Sequence, residues 1–493
     1  MIAVMKIPKQ IISITAKLEK AGFEAYIVGG CVRDLLRGAK PNDWDIATNA
    51  KPEQSNKLFP KSFKDKNFGL VTVLTGSKDD TLKEIEIMPY RTESTYSDKR
   101  HPDQVFWVDT IEQDLARRDF TINAMAIRPQ KLKNDYEVID LFKGREDLER
   151  KIIKTVGDPK KRFSEDALRM MRAVRFAMTL GKGWQIEEQT KNAIKKNSEL
   201  LRAISNERIR DELMKVIMSE NASEGIELFR KTGLLKYIIP ELEEGYGIAQ
   251  NKHHIYDCYE HNILSLAYAA KKDYNKYVRL TALLHDIAKP RTKKGEGPDA
   301  TFYCHEIVGA KMTKKILERL KFSKKDVEKI VKLVRYHLFY YDVDEVTESS
   351  IRRLVRNVGK ENIDELLEVR FCDRIGSGCP KAEPYKLRHL RYVVEKASAS
   401  PISVSSLKVG GEDVMSILDI EPGQKIGQIL DILLNEILED PSKNKKSYLN
   451  KRIKDLGEID DVKLGKMTQK IRKEITNVKM KKDSMLKEKY WVK

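Results

Sequence analysis

Two acidic residues one position apart, Asp43 and Asp45, sit in the segment Asn42-Asp43-Trp44-Asp45-Ile46-Ala47-Thr48. On an extended strand residues i and i+2 share a face, so this pair would present two carboxylates side by side. A divalent cation relieves their repulsion. Paired aspartate oxygens suit Mg2+, which keeps its other positions for water and phosphate oxygens. A third carboxylate is on offer in Lys83-Glu84-Ile85-Glu86-Ile87-Met88. With Ile85 and Ile87 facing the core, Glu84 and Glu86 face the other side, and the alternation does not choose between them. Upstream, Gly29-Gly30-Cys31-Val32-Arg33-Asp34 reads as strand, glycines and helix start. Glycines let backbone approach a phosphate, a helix start favours anions, and Arg33 adds a fork for them. Downstream, Arg117-Arg118-Asp119-Phe120-Thr121-Ile122-Asn123 offers phosphate donors and partners for ribose hydroxyls. In 165–175, Asp166, Arg169, Arg172 and Arg175 recur every three positions. On a helix this row slants slowly around the surface, with Asp166 and Arg169 as neighbours. Taken singly, each motif is also what a solvated strand face, a charged turn or a helix surface contains.

A second set of chemical residues lies further on. Six of the eight histidines fall between positions 253 and 337. His261, His285-Asp286, His305, His337 and Asp373 lie on or near apolar helical stretches, and such side chains from several helices can converge on a divalent ion. The five cysteines, at 31, 258, 304, 372 and 379, have no paired spacing, which argues against a disulfide scaffold and a CxxC zinc site.

The elements that must position these residues fall into two regimes. Residues 1–147 read as α/β: a helix at 8–20, a strand at 25–28, a short helix at 32–36, strands at 44–47, 70–74 and 83–88, then a polar stretch at 92–104. From about 148 the apolar spacing turns to 3.6 residues, with helices expected at 165–180, 207–218, 222–231, 260–270, 278–288, 307–320, 325–336, 349–357 and 363–372. The 493 residues are 41% hydrophobic and 34% charged, a globular composition. No segment approaches the ~20 apolar residues that span a bilayer, and the N-terminus has no secretory pattern, so a cytoplasmic location and no membrane partner are expected. Lys and Arg exceed Asp and Glu by 93 to 75, a net of +18, which points to a polyanionic partner. From Pro441 to Lys493, 17 basic and 7 acidic residues carry +10 of it.

Taken in order, VGGCVRD, DWDIAT, FGLVTV, RRDFTINAMA and EDALRMMR resemble the class II tRNA nucleotidyltransferases, the bacterial CCA-adding enzymes and their poly(A) polymerase relatives. The resemblance covers roughly the first 220 residues, and several motifs in order are far more specific than any one. It implies a DNA polymerase β-like α/β head, followed by an all-α body. Asp43 and Asp45 would hold two Mg2+ ions, with Glu86 the better third carboxylate by alignment of EIMPYR with the family's last head strand. Gly30 and Arg33 would contact the nucleotide's phosphates, and Arg118 and Asp119 its ribose and phosphate. Asp166, Arg169, Arg172 and Arg175 would line the nucleotide pocket. A carboxylate beside a guanidinium matches the amino donor and ring acceptor of both cytosine and adenine, while uracil and guanine would leave buried groups unpaired. The implied reaction is attack of a tRNA 3′-hydroxyl on the α-phosphorus of CTP or ATP, adding C, C and A without a template.

LLHDIAKP, CHEIVGA, RYH and CDRIGSG resemble the HD phosphohydrolase superfamily. This implies His261, His285, Asp286 and Asp373 as ligands of a transition metal or Mg2+, with His305 and His337 serving phosphate or a second metal. The implied activity is a phosphatase or cyclic phosphodiesterase on damaged RNA ends. The segment VGGEDVM followed by PGQKIG resembles the C-terminal region of HD-containing CCA enzymes. The expected plan is a head at 1–147, a nucleotide-selecting and RNA-binding helical neck at 148–245, an HD domain at 246–380 and a helical, basic C-terminal tail at 381–493, whose end at 441–493 is either a tRNA contact or a solvated extension. The partners implied are tRNA, CTP and ATP, with no stable protein partner. FGLVTV and the stretch 91–109 favour CCA addition over poly(A) addition and leave A-only addition open. The alternative from another class is an HD phosphohydrolase with an RNA-binding head.

Overall fold

The computed structural model describes residues 6–65, 69–93, 105–129, 136–251, 255–343, 345–398, 404 and 407–492. The chain forms two compact units, 1–337 with 368–380, and 338–367 with 381–493. Residues 338–367, expected with the 246–380 segment, thus cluster with the C-terminal residues.

The first unit begins with helix α1 (Lys9–Lys20) and a mixed sheet. Its strands are β1 (Ala25–Val28), β2 (Asp45–Thr48), β3 (Ser62–Lys64), β4 (Val71–Leu74), β5 (Glu84–Pro89), β8 (Ala126–Pro129) and β9 (Tyr136–Ile139), in the order β3-β4-β5-β2-β1-β8-β9. A separate hairpin pairs β6 (Arg91–Glu93) with β7 (Val105–Trp107). β1 is a continuous buried apolar run, as befits a central strand covered on both faces. On one face Ile27, Ile46, Ile85, Ile87 and Val71 pack on Ile11, Ile14 and Leu18 of α1. On the other, Val28, Ala47 and Tyr90 pack on Ile111 and Leu115. β2 runs parallel to β5 and antiparallel to β1, which turns straight into helix α2 (Gly30–Leu36).

The helices that follow include α3 (Pro159–Glu165), α4 (Leu168–Thr179), α5 (Asn206–Ile217), α6 (Cys258–Lys271), α7 (Lys276–Leu284), α8 (His305–Arg319), α9 (Lys324–Tyr336) and α10 (Ile363–Gly376). One continuous core runs through α3 to α9, from Phe120 and Phe163 through Met171, Leu213 and Phe229 to Leu283, Ile316 and Val334. Arg279 of α7 is buried in it. Its guanidinium donates to the carbonyls of Ile217 (3.0 Å), Ser219 (2.8 Å) and Tyr274 (2.8 Å) and pairs with Asp273 (2.8 Å). It therefore satisfies backbone oxygens that the end of α5 leaves open.

The second unit is helical, with α11 (Tyr385–Ser398) and a 30-residue helix, α12 (Asp461–Tyr490). Its core gathers Val414, Ile429, Leu433, Leu449, Ile453 and Leu464. No helix among the described residues is long and apolar enough to cross a membrane.

Three local expectations differ from the structure. The strand at Asp45 does not include Asp43, which lies in the bend after Pro41; buried Trp44 separates the two acids. The helix expected at 165–180 is broken at Asp166, whose backbone is extended (φ −139°, ψ 105°) and whose carboxylate accepts the Leu168 N–H as a cap for α4. The helix expected at 278–288 ends at Leu284, and His285 to Ala288 form a turn.

Candidate functional site

The head's acids meet on two adjacent interior strands of the sheet, β2 and β5, and in the bend before β2. Asp45 opens β2 and lies directly opposite Glu86 of β5, whereas Glu84, two residues earlier, lies opposite Leu74 of β4. Burial first, then the Asp43 charge, push the Asp45 carboxyl up to about 7 against the pull of Arg118. Burial and Asp43 also raise Glu86. Three carboxylates thus crowd one place with too little positive charge, and a divalent cation is the group that relieves it. Gly29, in the left-handed region at φ +81°, lies at this corner. A Cβ there would lie 3.1 Å from both Arg118 Nη1 and Asp45 Oδ2. Gly30 is the first residue of α2.

The basic residues are already partnered. Arg33 is 8% exposed and commits its fork to Asp34 (2.8 and 3.0 Å) and Asn123 (2.8 Å). Arg118 is held by Asp114 (3.0 Å). Asp119 accepts from Arg172 (2.6 Å), the Phe120 N–H (2.8 Å) and Asn123 (3.2 Å). Arg175 pairs with buried Glu212 of α5 (2.6 Å) and stacks over Phe176, 3.9 Å from the ring centroid. Arg33 and Arg172 lie over the same ring at 5.3 and 5.4 Å. Asp166 and Arg169 are neighbours, yet their side chains take different partners: Arg208 of α5 (2.7 Å) for Asp166, and Glu165 (2.6 Å) for Arg169. Arg208, Glu212, Asp114 and Phe176 escape sequence reasoning. Arg208 and Glu212 are one turn apart on α5, a spacing that marks a shared face but not what that face meets. A cleft of about 740 Å³ is lined by Arg33, Arg37, Lys40, Arg175, Phe176 and Lys215, among others. Of the stretch 91–109, residues 94–104 lie outside the described residues, as does Phe68 of the FGLVTV segment.

The histidine cluster is assembled from α6, the turn after α7, α8, the end of α9 and α10. His261 Nε2 lies 3.1 Å and His285 Nε2 3.4 Å from Asp286 Oδ2, and 3.4 and 3.8 Å from Asp373 Oδ1. His305 and His337 face the other Asp286 oxygen at 3.2 and 3.5 Å. The Nδ1 atoms of His285, His305 and His337 lie 2.9, 2.7 and 2.7 Å from the carbonyls of Ala282, Phe302 and Val334. A carbonyl only accepts, so each neutral ring carries its proton on Nδ1 and turns an Nε2 lone pair toward a carboxylate. His261 and His285 bring Nε2 atoms within 2.9 Å of each other. Lone pairs converging in this way need a proton or a metal between them, and the donor set fits a divalent ion. Burial raises both buried carboxyls, but the positive charges of Lys289 for Asp286 and Arg370 for Asp373 help bring them well below the usual range. Lys289 reaches Asp286 Oδ2 at 2.6 Å. His253 and His254 lie outside the described residues.

Fold and acids together define a nucleotidyltransferase head joined to an HD module. Residues 25–154 match the model for the poly A polymerase head domain, 183–245 that for the "Probable RNA and SrmB- binding site of polymerase A", and 259–376 that for the HD domain. The chain thus carries, in order, a poly A polymerase head domain, that RNA-binding segment and an HD domain. A CCA-adding enzyme of Lactobacillus delbrueckii subsp. bulgaricus is 47% identical over 234 residues, covering 47% of this chain and 56% of the relative. One of Lactobacillus helveticus is 48% identical over 238 residues, 48% of this chain and 57% of the relative. The chain thus spans about half the length of the curated relatives it matches. A crystal structure of the Bacillus stearothermophilus CCA-adding enzyme in complex with CTP aligns over 91% of this chain and 98% of its own, with 26% identity and a TM-score of 0.58.

Proposed function

We propose that this protein adds C, C and A to tRNA 3′ ends, taking CTP and ATP in turn and releasing pyrophosphate. The observation that carries the reading is the register of β2 on β5, which sets Asp45 beside Glu86 under the Gly29 turn, with Asp43 acting on both. Asp43, Asp45 and Glu86 would hold Mg2+, which supplies activation of the 3′-hydroxyl and charge stabilisation at the phosphates. Gly29 keeps this corner open for the triphosphate. Arg33 steadies the turn through Asp34 and Asn123 rather than reaching outward, and Arg118 with Asp119 faces ribose and phosphate. Asp166 accepts the amino group of cytosine or adenine while Arg169 donates to the adjacent ring nitrogen. The curated relatives' names favour CCA addition over poly(A) synthesis.

The histidine cluster supports a second activity. His261, His285, Asp286 and Asp373 would hold one metal, with His305 and His337 on the far oxygen of Asp286 available to a second. Such a centre supplies a nucleophilic water for phosphate esters, and Lys289 and Arg370 lie beside it to receive the anion.

Asp43→Ala and Asp45→Ala are expected to lower CTP incorporation into tRNA lacking CCA by at least about a thousandfold. Undiminished incorporation would remove the assignment. Sequencing products from tRNAs ending before CCA, after C and after CC separates the alternatives. Addition of A only to the CC end would replace full CCA addition, and long A tails would favour a polymerase.

A further inference from the structure

Nucleotide transfer at this site makes a demand on two distant parts of the chain. The α-phosphorus has to sit at Asp43, Asp45 and Glu86, while the base is read by Asp166 and Arg169 at the start of α4. A displacement of about 1 Å between reacting groups costs about a hundredfold in rate, so α4 needs a fixed distance from the acids. Two contacts hold it near its base-reading end: Arg172 reaches Asp119 (2.6 Å) and Arg169 the Arg117 carbonyl (3.2 Å). Residues 169 and 172 are less than a turn apart. α4 is about 18 Å long, and a helix held only over its first turns can swing about them.

The other end of α4 is gripped by Arg37, the residue that follows α2. Its Nη2 donates to the carbonyl of Leu180, the residue that follows α4, at 2.6 Å. The last carbonyls of a helix have no partner within it, and a cation there also suits the helix dipole. One turn earlier on both helices, Arg33 lies over Phe176, with Cζ 5.3 Å from the ring centroid. The steps from 33 to 37 and from 176 to 180 are equal, so the two contacts form rungs between helices that run in the same sense. Asp34 steers both arginines, Arg33 at 2.8 Å and Arg37 at 3.7 Å. At its start α2 adjoins Gly29, where a Cβ would lie 3.1 Å from Asp45 Oδ2. One short helix therefore runs from the acids to the far end of α4.

We propose that Arg37 is a positioning residue for nucleotide transfer: it ties the far end of α4 to α2 and so holds the base-reading turn at a set distance from the metal-holding acids. This rests on the reading of those acids as the metal site and of Asp166 and Arg169 as the base-reading pair. Arg37 touches neither nucleotide nor metal in this arrangement. Without it each half of the site still binds its part of the nucleotide, but the α-phosphorus drifts from the acids. The rate of transfer falls, and the hold on the nucleotide stays.

The test uses the full chain and tRNA lacking CCA, and follows a single turnover of CTP so that product release does not mask the transfer step. Arg37→Met is expected to lower the maximal rate by about tenfold or more, with the CTP concentration for half-maximal rate within about twofold of wild type. Arg37→Lys keeps a charged donor for the Leu180 carbonyl and is expected to regain most of the loss. Arg37→Gln, which is shorter and neutral, carries the same comparison if the Met variant does not fold. An unchanged maximal rate overturns the proposal. So does a loss of rate that comes with an equal loss of CTP affinity and that Arg37→Lys does not regain, since a general loosening of the fold gives that pattern. Asp45→Ala separates the two levels. If it leaves CTP incorporation undiminished, the reading of the acids fails and the proposal with it. If Asp45→Ala abolishes incorporation and the Arg37 variants keep the wild-type rate, only the role of Arg37 fails.

Discussion

Asp119 shows how a single residue sets the chemistry available at this site. Burial on its own pushes its carboxyl up. The Arg172 and Arg169 charges, with hydrogen bonds from Arg172 and Asn123, outweigh burial and hold it down to about 2. An unfolded chain releases it near the ordinary aspartate value of ~3.9. The folded form therefore binds fewer protons between these values. The resulting stability is present above the unfolded value and is lost as pH falls through about 2. Its size is about 2.6 kcal/mol. Urea midpoints of the wild type are expected to drop more steeply than those of Asp119→Asn between about pH 4.5 and 2.5. Parallel slopes would mean that the Arg172 pair does not hold this carboxyl down. At this scale the candidates were legible in advance, because the types and order of Asp45, Asp119, Asp166 and Arg169 suggest their chemistry, while the choice of Glu86 over Glu84 needed the family resemblance. Their partners were not legible. Arg208 meets Asp166, and Glu212 meets Arg175, across helices that only the folded chain brings together, and spacing reports neighbours within one element only.

The elements divide in the same way. The central strands were legible because β1, β2 and β5 are apolar or alternate cleanly. β8 and β9 were not, since Ala126–Pro129 is short and its place in the sheet rests on a non-local pairing with β1, Ile127 opposite Ile27. The break at Asp166 was hidden by apolar periodicity, which continues through a residue whose side chain caps the next helix. α12 has a pattern that spacing does reveal. Lys463, Lys466, Lys470, Lys473 and Lys481 are exposed and recur at intervals that keep them on one stripe, with Leu464 and Thr468 buried on the other side. Among the described residues none of the five ammonium groups pairs with an acidic side chain. Such a stripe suits a run of phosphates. Replacing Lys466, Lys470 and Lys473 by Gln is expected to lower the slope of log affinity for tRNA against log salt by about 2 to 3. CTP KM serves as the control and should hold. An unaltered slope would make the stripe a solvated surface.

At the scale of the molecule, the histidine cluster depends on long-range assembly. Its ligands come from five parts of the chain, so metal binding should be linked to folding of the whole unit. Chelation is expected to lower the melting temperature of the wild type by several degrees, and to leave a His285→Ala, Asp286→Ala double variant unmoved. Metal analysis of both proteins checks the same point. Equal and negligible metal in the two would reject the centre.

Arg279 gives this architecture a history as well as a shape. It belongs to the chain segment that bears the histidines, yet it completes the end of the helix that carries Arg208 and Glu212. A lineage with no further use for the histidine centre is free to lose its ligands one at a time, while Arg279, Leu280 and Leu283 stay under selection for the sake of the neck. Excising the segment whole would strip that helix of its final partners. Decay of the ligands with retention of the scaffold is therefore the route this fold leaves open to evolution.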